Sequence, residues 1–254
     1  MLKFVKCIIV TLLALSVFTF DCNAGAVARC WYIKRNGHLP PMPPEDYDVL
    51  KRYGAYYIND SLGDNEKKLY LTFDAGYENG NVEKILDILD AEGIKGAFFI
   101  LDNLIVTNTA LVKRMASEGH LVCNHTKRHK DLSLAEKNEI VSDLQALENL
   151  YREYTGNEMA KYFRFPEGKY SENALKTVYE MGYKTVFWSF AYEDWDNSKQ
   201  PSKEYAIKKI LDNTHNGAII LLHPTSDTNA QILPTLISKW KSMGYSFGTL
   251  DELS

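Results

Sequence analysis

The chain alternates between two periods of hydrophobic positions. Short apolar runs predict buried β-strands at residues 68–73, 96–101, 120–123, 162–165, 184–190, 218–222 and 246–248. Between these runs apolar residues recur every three or four positions, which predicts helices from 81, at 108–117, 133–151, 171–181 and 202–213, and up to about 243. About seven strand–helix repeats favour an α/β fold, a distorted (β/α) barrel of about seven parallel strands, over an open sheet.

Two of the predicted helices carry further signals. Ser133 and Glu136 have the spacing of a capping box at the start of the longest helix. Pro234 lies inside the pattern of the last helix and leaves the start of that helix open. The longest helix is expected to bury one face that carries Ile140, Leu144, Leu147 and Tyr151.

The N-terminal part of the chain divides into two segments that precede the barrel. Lys3 and Lys6 come before an apolar run at 7–20, which is typical of a secretory signal and is short for a membrane span. Residues 1–26 are therefore predicted to be a signal peptide or short anchor. The protein is expected to be exported, and then secreted, cell-wall associated or held at the membrane by an uncleaved signal. Four prolines between 40 and 44 predict an extended arm over 27–66, and the main domain follows at 67–254.

Composition and charge narrow the class of partner. With 254 residues, of which 45% are hydrophobic and 24% charged, the chain is long enough to bury one large core. The net charge of −4 gives no electrostatic footprint for nucleic acid, so we expect no nucleic-acid partner. A neutral or weakly charged ligand is expected instead. We also expect the protein to be a monomer.

Polar side chains follow five of the predicted strands. Because the carboxyl ends of parallel strands share one rim of a barrel, these side chains are expected to meet there. Singly, each also has an ordinary interpretation as a turn cap, a solvated surface residue or a core residue. The set predicts a catalytic rim that contains Asp74, His125, His129, Arg164, Asp194, Trp195 and His223.

The spacing of His125 and His129 places both imidazoles on one face of a helical turn, which suits one divalent metal. The same spacing also arises by accident. No glutamate follows the first histidine as it does in the His-Glu-x-x-His zinc proteases, so a general base must come from elsewhere. Asp74 is the carboxylate available.

Taken together, the motifs resemble those of the polysaccharide deacetylase family, metal-dependent carbohydrate esterases with a nodulation-protein-like domain. The resemblance covers residues 68–253, and its five motifs occur in order at 72–76, 125–129, 164–168, 194–195 and 221–223. Segments 72–80, 31–60, 188–195 and 244–253 look like the subgroup from spore-forming bacteria that deacetylates N-acetylmuramic acid in peptidoglycan on the way to muramic δ-lactam.

The resemblance implies a catalytic role for four of the rim residues. Asp74 would be the base that deprotonates water, and Arg164 would keep it ionised and oriented. His223, steadied by Asp194, would protonate the leaving amine.

Five other residues would bind substrate or metal. The resemblance implies that Trp195 and Leu221 wall the acetyl pocket and that Glu167 lies in a loop facing the substrate groove. It also implies that His125 and His129 hold a divalent metal, with zinc expected.

The residue after the base departs from the family pattern. Most members have a second aspartate there that ligates the metal, whereas this chain has Ala75. Two protein ligands remain, so we expect the metal to be weakly held, with Glu78 as one conceivable substitute ligand.

The implied function is removal of the N-acetyl group from N-acetylmuramic acid along a peptidoglycan strand. Lactam closure needs a free lactate, which implies that an amidase removes the stem peptide beforehand. Two alternatives stay open. One is the same chemistry on N-acetylglucosamine or chitin oligomers, and the other is a glycan-binding pseudo-enzyme that lacks a full metal site.

Overall fold

The computed structural model describes residues 27–42, 44–63 and 66–253. The strands within these residues are β1 (Arg29–Cys30), β2 (Ala55–Tyr56), β3 (Lys68–Ala75), β4 (Ala97–Ile100), β5 (Leu121–Asn124), β6 (Ala160–Phe163), β7 (Lys169–Tyr170), β8 (Lys184–Val186), β9 (Ile219–Leu222) and β10 (Ser246–Phe247). The helices are α1 (Tyr47–Arg52), α2 (Asn81–Ala91), α3 (Asp102–Thr107), α4 (Thr109–Ser117), α5 (Lys137–Thr155), α6 (Glu172–Glu180), α7 (Lys203–Leu211) and α8 (Asp227–Ser242).

The predicted signal or anchor lies outside the described residues and stays a prediction. Among the residues described, no helix is long and apolar enough to cross a membrane.

Seven parallel strands form the main sheet, in the order β2, β8, β6, β5, β4, β3, β9. The start of β3 also pairs with β10. Beyond β8, Phe190 pairs in parallel with Ile220 of β9, so the two ends of the sheet approach each other. The sheet curls with helices around it, and the predicted distorted (β/α) barrel of about seven parallel strands is confirmed.

Strand β3 shows how the sequence positions the site. Successive side chains of a strand point to opposite faces. Leu69, Leu71 and Phe73 therefore pack outward in the large apolar cluster between sheet and helices. Tyr70 belongs to the cluster inside the barrel. Asp74, four residues further on the same face, reaches the interior at the carboxyl end of the strand.

The segment predicted as an extended arm supplies part of the fold. After the last of its prolines, the chain forms α1, which buries Leu50, and then β2, which joins β8 at the sheet edge. Strand β1 pairs with β7 in a separate antiparallel ribbon. Trp31 is 5% exposed, and its ring stacks on Phe187 at 4.6 Å between centroids.

Helix α5 corrects one prediction and confirms another. The helix begins at Lys137, and Glu136 at its N-cap makes no side-chain capping bond, so the predicted capping box is wrong. The reason is local: the Ser133 backbone N–H donates to Asp131 Oδ1 at 2.9 Å, which holds a turn in place of a helix start. The predicted apolar face is buried as expected.

Two other helices differ from the sequence pattern. Helix α3 was not predicted, and α8 runs without a break through Pro234.

A glycine before β9 carries a testable consequence of this packing. Gly217 has φ 73°, and a Cβ there would lie 2.1 Å from the Asn59 backbone oxygen. Gly217→Ala is expected to lower the free energy of unfolding by about 3 kcal/mol or more, because both the left-handed backbone and the overlap are unfavourable.

Gly182→Ala is the matched control, since Gly182 has φ 82° and a Cβ added there would meet no atom within 4 Å. Gly182→Ala is expected to lower the free energy of unfolding by about 1–2 kcal/mol, which is the cost of the left-handed backbone conformation alone. Urea unfolding measures both values, and equal losses would contradict the close approach of the arm to Gly217.

Candidate active site

Arg164 is the buried centre of the rim. It directly follows β6, and its side chain has no exposed surface. Its Nε donates to the Val186 carbonyl at 2.9 Å, and its Nη2 donates to the Phe187 carbonyl at 3.2 Å and to Thr72 Oγ1 at 2.9 Å. The guanidinium lies 4.1 Å from the centroid of the Phe99 ring. These four contacts hold the guanidinium in one orientation.

The remaining donor of Arg164 is directed at Asp74. Nη1 lies 2.7 Å from Asp74 Oδ1. Burial by itself raises the pKa of Asp74, but the charge of Arg164, aided by His223, outweighs burial and holds the pKa below its ordinary value. Asp74 is therefore ionised near neutral pH.

A second pair, of a carboxylate and an imidazole, stands at the end of the neighbouring strand β9, which pairs with β3. His223 follows β9, and its Nδ1 lies 2.7 Å from Asp194 Oδ1. The His223 backbone N–H donates to Asp194 Oδ2 at 2.9 Å. Burial lowers the pKa of His223, but Asp194, and more weakly Asp74, raise it above its ordinary value. The Nδ1 contact leaves Nε2 as the free ring nitrogen.

The two predicted metal ligands lie together but not on a helix. Residues 125–130 are irregular, and Thr126 and His129 have left-handed φ of 66° and 55°, so the predicted helical turn is wrong. The backbone N–H groups bond to side chains instead: that of Thr126 to Asn124 Oδ1, and that of Lys127 to Asp143 Oδ1 of α5. The two imidazole centroids are nevertheless 5.0 Å apart.

The donor set fits a divalent metal in part. His125 Nδ1 donates to the Arg164 carbonyl at 2.8 Å, so Nε2 carries the lone pair. Burial lowers the pKa of His125 to about 4, which keeps the ring neutral as a ligand must be. Its Nε2 faces Asp74 Oδ2 at 3.5 Å. Within the described residues no group of three or more His, Cys, Asp or Glu side chains is arranged to hold a metal. A two-histidine site open to water or substrate is what these residues offer.

Neither the position after Asp74 nor Glu78, the conceivable substitute, supplies a third ligand to this site. Ala75 is fully buried in the outer apolar cluster. One carboxylate oxygen of Glu78 accepts the Gly80 N–H, and the other is buried with no hydrogen-bond partner among the described residues.

The three residues predicted to bind substrate have different surroundings. Trp195 is 58% exposed, with its ring centroid 6.1 Å from that of His223. Leu221 is buried on β9, beside Thr72 of β3. Glu167 is exposed at φ 56°, and its carboxylate lies 2.8 Å from Lys169 Nζ.

Sequence reasoning missed two residues that support the site. Thr72 was identified only as part of a motif, yet it bonds to Arg164, and its position two residues before Asp74 was the available signal. Asn229, which bonds to Asp194, lies six residues after His223 on a helix and has no motif of its own.

Comparison with known proteins agrees with this fold. Residues 62–186 match the family described as polysaccharide deacetylase. A relative from Bacillus subtilis, the peptidoglycan-N-acetylmuramic acid deacetylase PdaA, is 37% identical over 225 residues, which are 88% of this chain and 84% of the relative. The chain belongs to the polysaccharide deacetylase family, also called family 4 carbohydrate esterases, and is a hydrolase of that class.

Solved structures and a further relative place it within the family. The structure of B. subtilis PdaA superposes with a TM-score of 0.84 at 37% identity and covers 89% of this chain and 96% of that one. A Bacillus anthracis protein described as a CE4 family pseudoenzyme has a TM-score of 0.70 at 26% identity, over 78% of this chain and 68% of that one. The peptidoglycan-N-acetylglucosamine deacetylase PgdA of Listeria monocytogenes is 33% identical over 74% of this chain and 39% of its own length.

The buried pair of Arg164 and Asp74 leads to a stability prediction. Arg164→Leu is expected to lower the free energy of unfolding by about 3–5 kcal/mol, because it leaves Asp74 buried and unpaired. Adding Asp74→Asn to that variant should recover part of the loss, since the uncompensated charge disappears. Urea unfolding of the single and double variants tests this, and a double variant less stable than Arg164→Leu alone would show that the pair is not coupled in this way.

Proposed function

We propose that the protein removes the N-acetyl group from N-acetylmuramic acid in peptidoglycan, as a step toward muramic δ-lactam. The observation that carries the chemistry is the presence on one rim of an ionised carboxylate held by Arg164 and an imidazole held by Asp194. Amide hydrolysis needs both a base for water and an acid for a poor leaving group.

Asp74 is the base in this proposal. Its pKa lies below the ordinary value, so it is ready to take a proton from water. Arg164 binds Oδ1 and leaves Oδ2 as the oxygen that accepts this proton. The guanidinium is fixed by two carbonyls and by Thr72, so the base does not have to be oriented at each turnover.

His223 is the acid. Asp194 stabilises the imidazolium through Nδ1, and Nε2 delivers the proton to the departing amine. A low pKa at the base and a raised pKa at the acid widen the pH range in which Asp74 is ionised while His223 is protonated.

Deacetylases of this family are generally metal-dependent. His125 and His129 are the residues that would hold a divalent ion, which when bound supplies a Lewis acid for the amide carbonyl. Zinc is the metal we propose, weakly held because Ala75 supplies no ligand.

The choice of muramic acid rests on similarity to PdaA along most of both chains. The proposed substrate is a glycan strand whose stem peptides an amidase has already removed, because lactam closure consumes a free lactyl carboxylate. Lys169 Nζ lies 2.8 Å from the Glu167 carboxylate, so part of the repulsion between Glu167 and that lactate is offset. The proposed location is outside the cytoplasmic membrane, as part of spore cortex formation.

The direct test uses peptidoglycan stripped of stem peptides, incubated with the protein with and without added divalent metal. Mass spectrometry is expected to show loss of acetyl from muramic residues and retention of acetyl on glucosamine residues. Loss from glucosamine alone would assign the N-acetylglucosamine reaction instead. Glycan binding without turnover under any metal would leave a pseudo-enzyme.

Asp74→Asn is the matched control for this test, because it keeps the shape of the side chain and removes the base. Turnover is expected to fall about 10²–10⁴-fold while folding is kept. Undiminished turnover would remove Asp74 from the role of base.

Replacing the partner of His223 should change the pH profile. Asp194→Asn is expected to lower kcat about 10²-fold or more. It should also move the alkaline limb of kcat to lower pH, since Asp194 raises the pKa of His223 and the acid must be protonated to act. An alkaline limb left in place would contradict the assignment of His223 as the acid.

Metal removal tests the two-histidine site. Dialysis against a chelator is expected to remove the metal, because two protein ligands bind less tightly than three. Turnover should then be lost, and added zinc should restore it. Metal content by atomic absorption and turnover are measured together. Retention of a full equivalent of zinc after extensive chelation would show that a third protein ligand exists.

A further inference from the structure

The amide of Asn229 contacts the carboxylate of Asp194. Asn229 is 1% exposed and belongs to the first turn of α8. Ser226 caps this helix and accepts the Asn229 backbone N–H at 3.1 Å. The start of α8 therefore fixes the backbone from which the Asn229 side chain projects.

Each polar atom of that side chain has a partner. Asn229 Nδ2 donates to Asp194 Oδ2 at 2.6 Å and to the His223 carbonyl at 3.1 Å. Asn229 Oδ1 accepts the Tyr192 hydroxyl. Tyr192 is 4% exposed, and burial raises its pKa, so it remains a neutral phenol that can donate. This contact sets the amide with its NH₂ toward Asp194.

Asp194 depends on these donors because it is 1% exposed. A buried ionised carboxylate is unfavourable unless its oxygens accept hydrogen bonds. Oδ1 faces His223 Nδ1, while Oδ2 accepts from the His223 backbone N–H and from Asn229. Without Asn229, Oδ2 keeps one donor, and the carboxylate loses the contact that prevents its rotation away from His223.

We infer that Asn229, oriented by Tyr192, is a positioning residue that holds Asp194 so that Oδ1 faces Nδ1 of His223 and Nε2 stays free to deliver a proton. The inference rests on the proposed role of His223 as the acid. Asn229 itself touches no reacting atom.

Two variants with the same number of side-chain heavy atoms as Asn229 distinguish a positioning role from a packing role. Asn229→Leu removes the donor, and Asn229→Asp puts a carboxylate beside Asp194 Oδ2, so that the two groups must share a proton. Both are expected to lower kcat about 10–100-fold with little change in KM. Gln231→Leu, at an exposed position two residues further along α8, is the control and should leave kcat unchanged.

Tyr192→Phe tests the same network if the Asn229 variants fold poorly. It should lower kcat in the same direction by a smaller factor. Combined with Asn229→Leu, it should add no further loss, since the two residues act through one contact. Independent, multiplying losses would overturn the inference.

A spectroscopic readout requires no substrate. Nitrogen-15 NMR of the histidines is expected to show a single Nδ1–H tautomer for neutral His223 in the wild type and a mixture in Asn229→Leu. A lower unfolding midpoint with kcat and tautomer unchanged would mean that Asn229 serves only stability, and the inference fails. If the wild type turns over no glycan, the proposed function fails. The NMR comparison of the His223 tautomer in the wild type and in Asn229→Leu still tests the role of Asn229.

Discussion

The buried ion pair of Arg164 and Asp74 is the interaction on which the rest of the site depends. Taking an arginine out of water is costly, and the protein offsets that cost with two carbonyls, the Thr72 hydroxyl, the Phe99 ring and one carboxylate. These contacts come from several different strands and the segments that follow them. The barrel must therefore be assembled before Asp74 acquires its charge state, so this ionised carboxylate depends on the whole fold.

The outward and inward faces of β3 have different environments. In β3 the outward positions pack against helices, while the inward positions run from Tyr70, which packs inside the barrel, through Thr72 to Asp74 at the rim. The second pair is built in the same way, since Asp194 and His223 are held by backbone and amide donors. Each of the two proposed proton-transfer groups thus has a buried partner that shifts its pKa in the useful direction.

Much of this could be predicted from the sequence, for a physical reason. Strand periodicity and the common rim of parallel strands are enough to bring Asp74, Arg164 and His223 together. The non-helical loop of His125 and His129 could not be predicted, because its N–H groups bond to side chains from Asn124 and from the distant helix α5. The sheet strand within the N-terminal arm and the contact of Asn229 with Asp194 were missed likewise, since both depend on tertiary neighbours.

The most direct measurement of the central claim is the titration of the Asp74 carboxyl, followed by carbon-13 NMR in the folded, metal-free protein and assigned with Asp74→Asn. If Arg164 holds this residue as an ionised base, its pKa lies below that of an ordinary aspartate, about 3.9. Burial without an effective partner would instead raise the pKa. A carboxyl that titrates at or above the ordinary value would contradict the account.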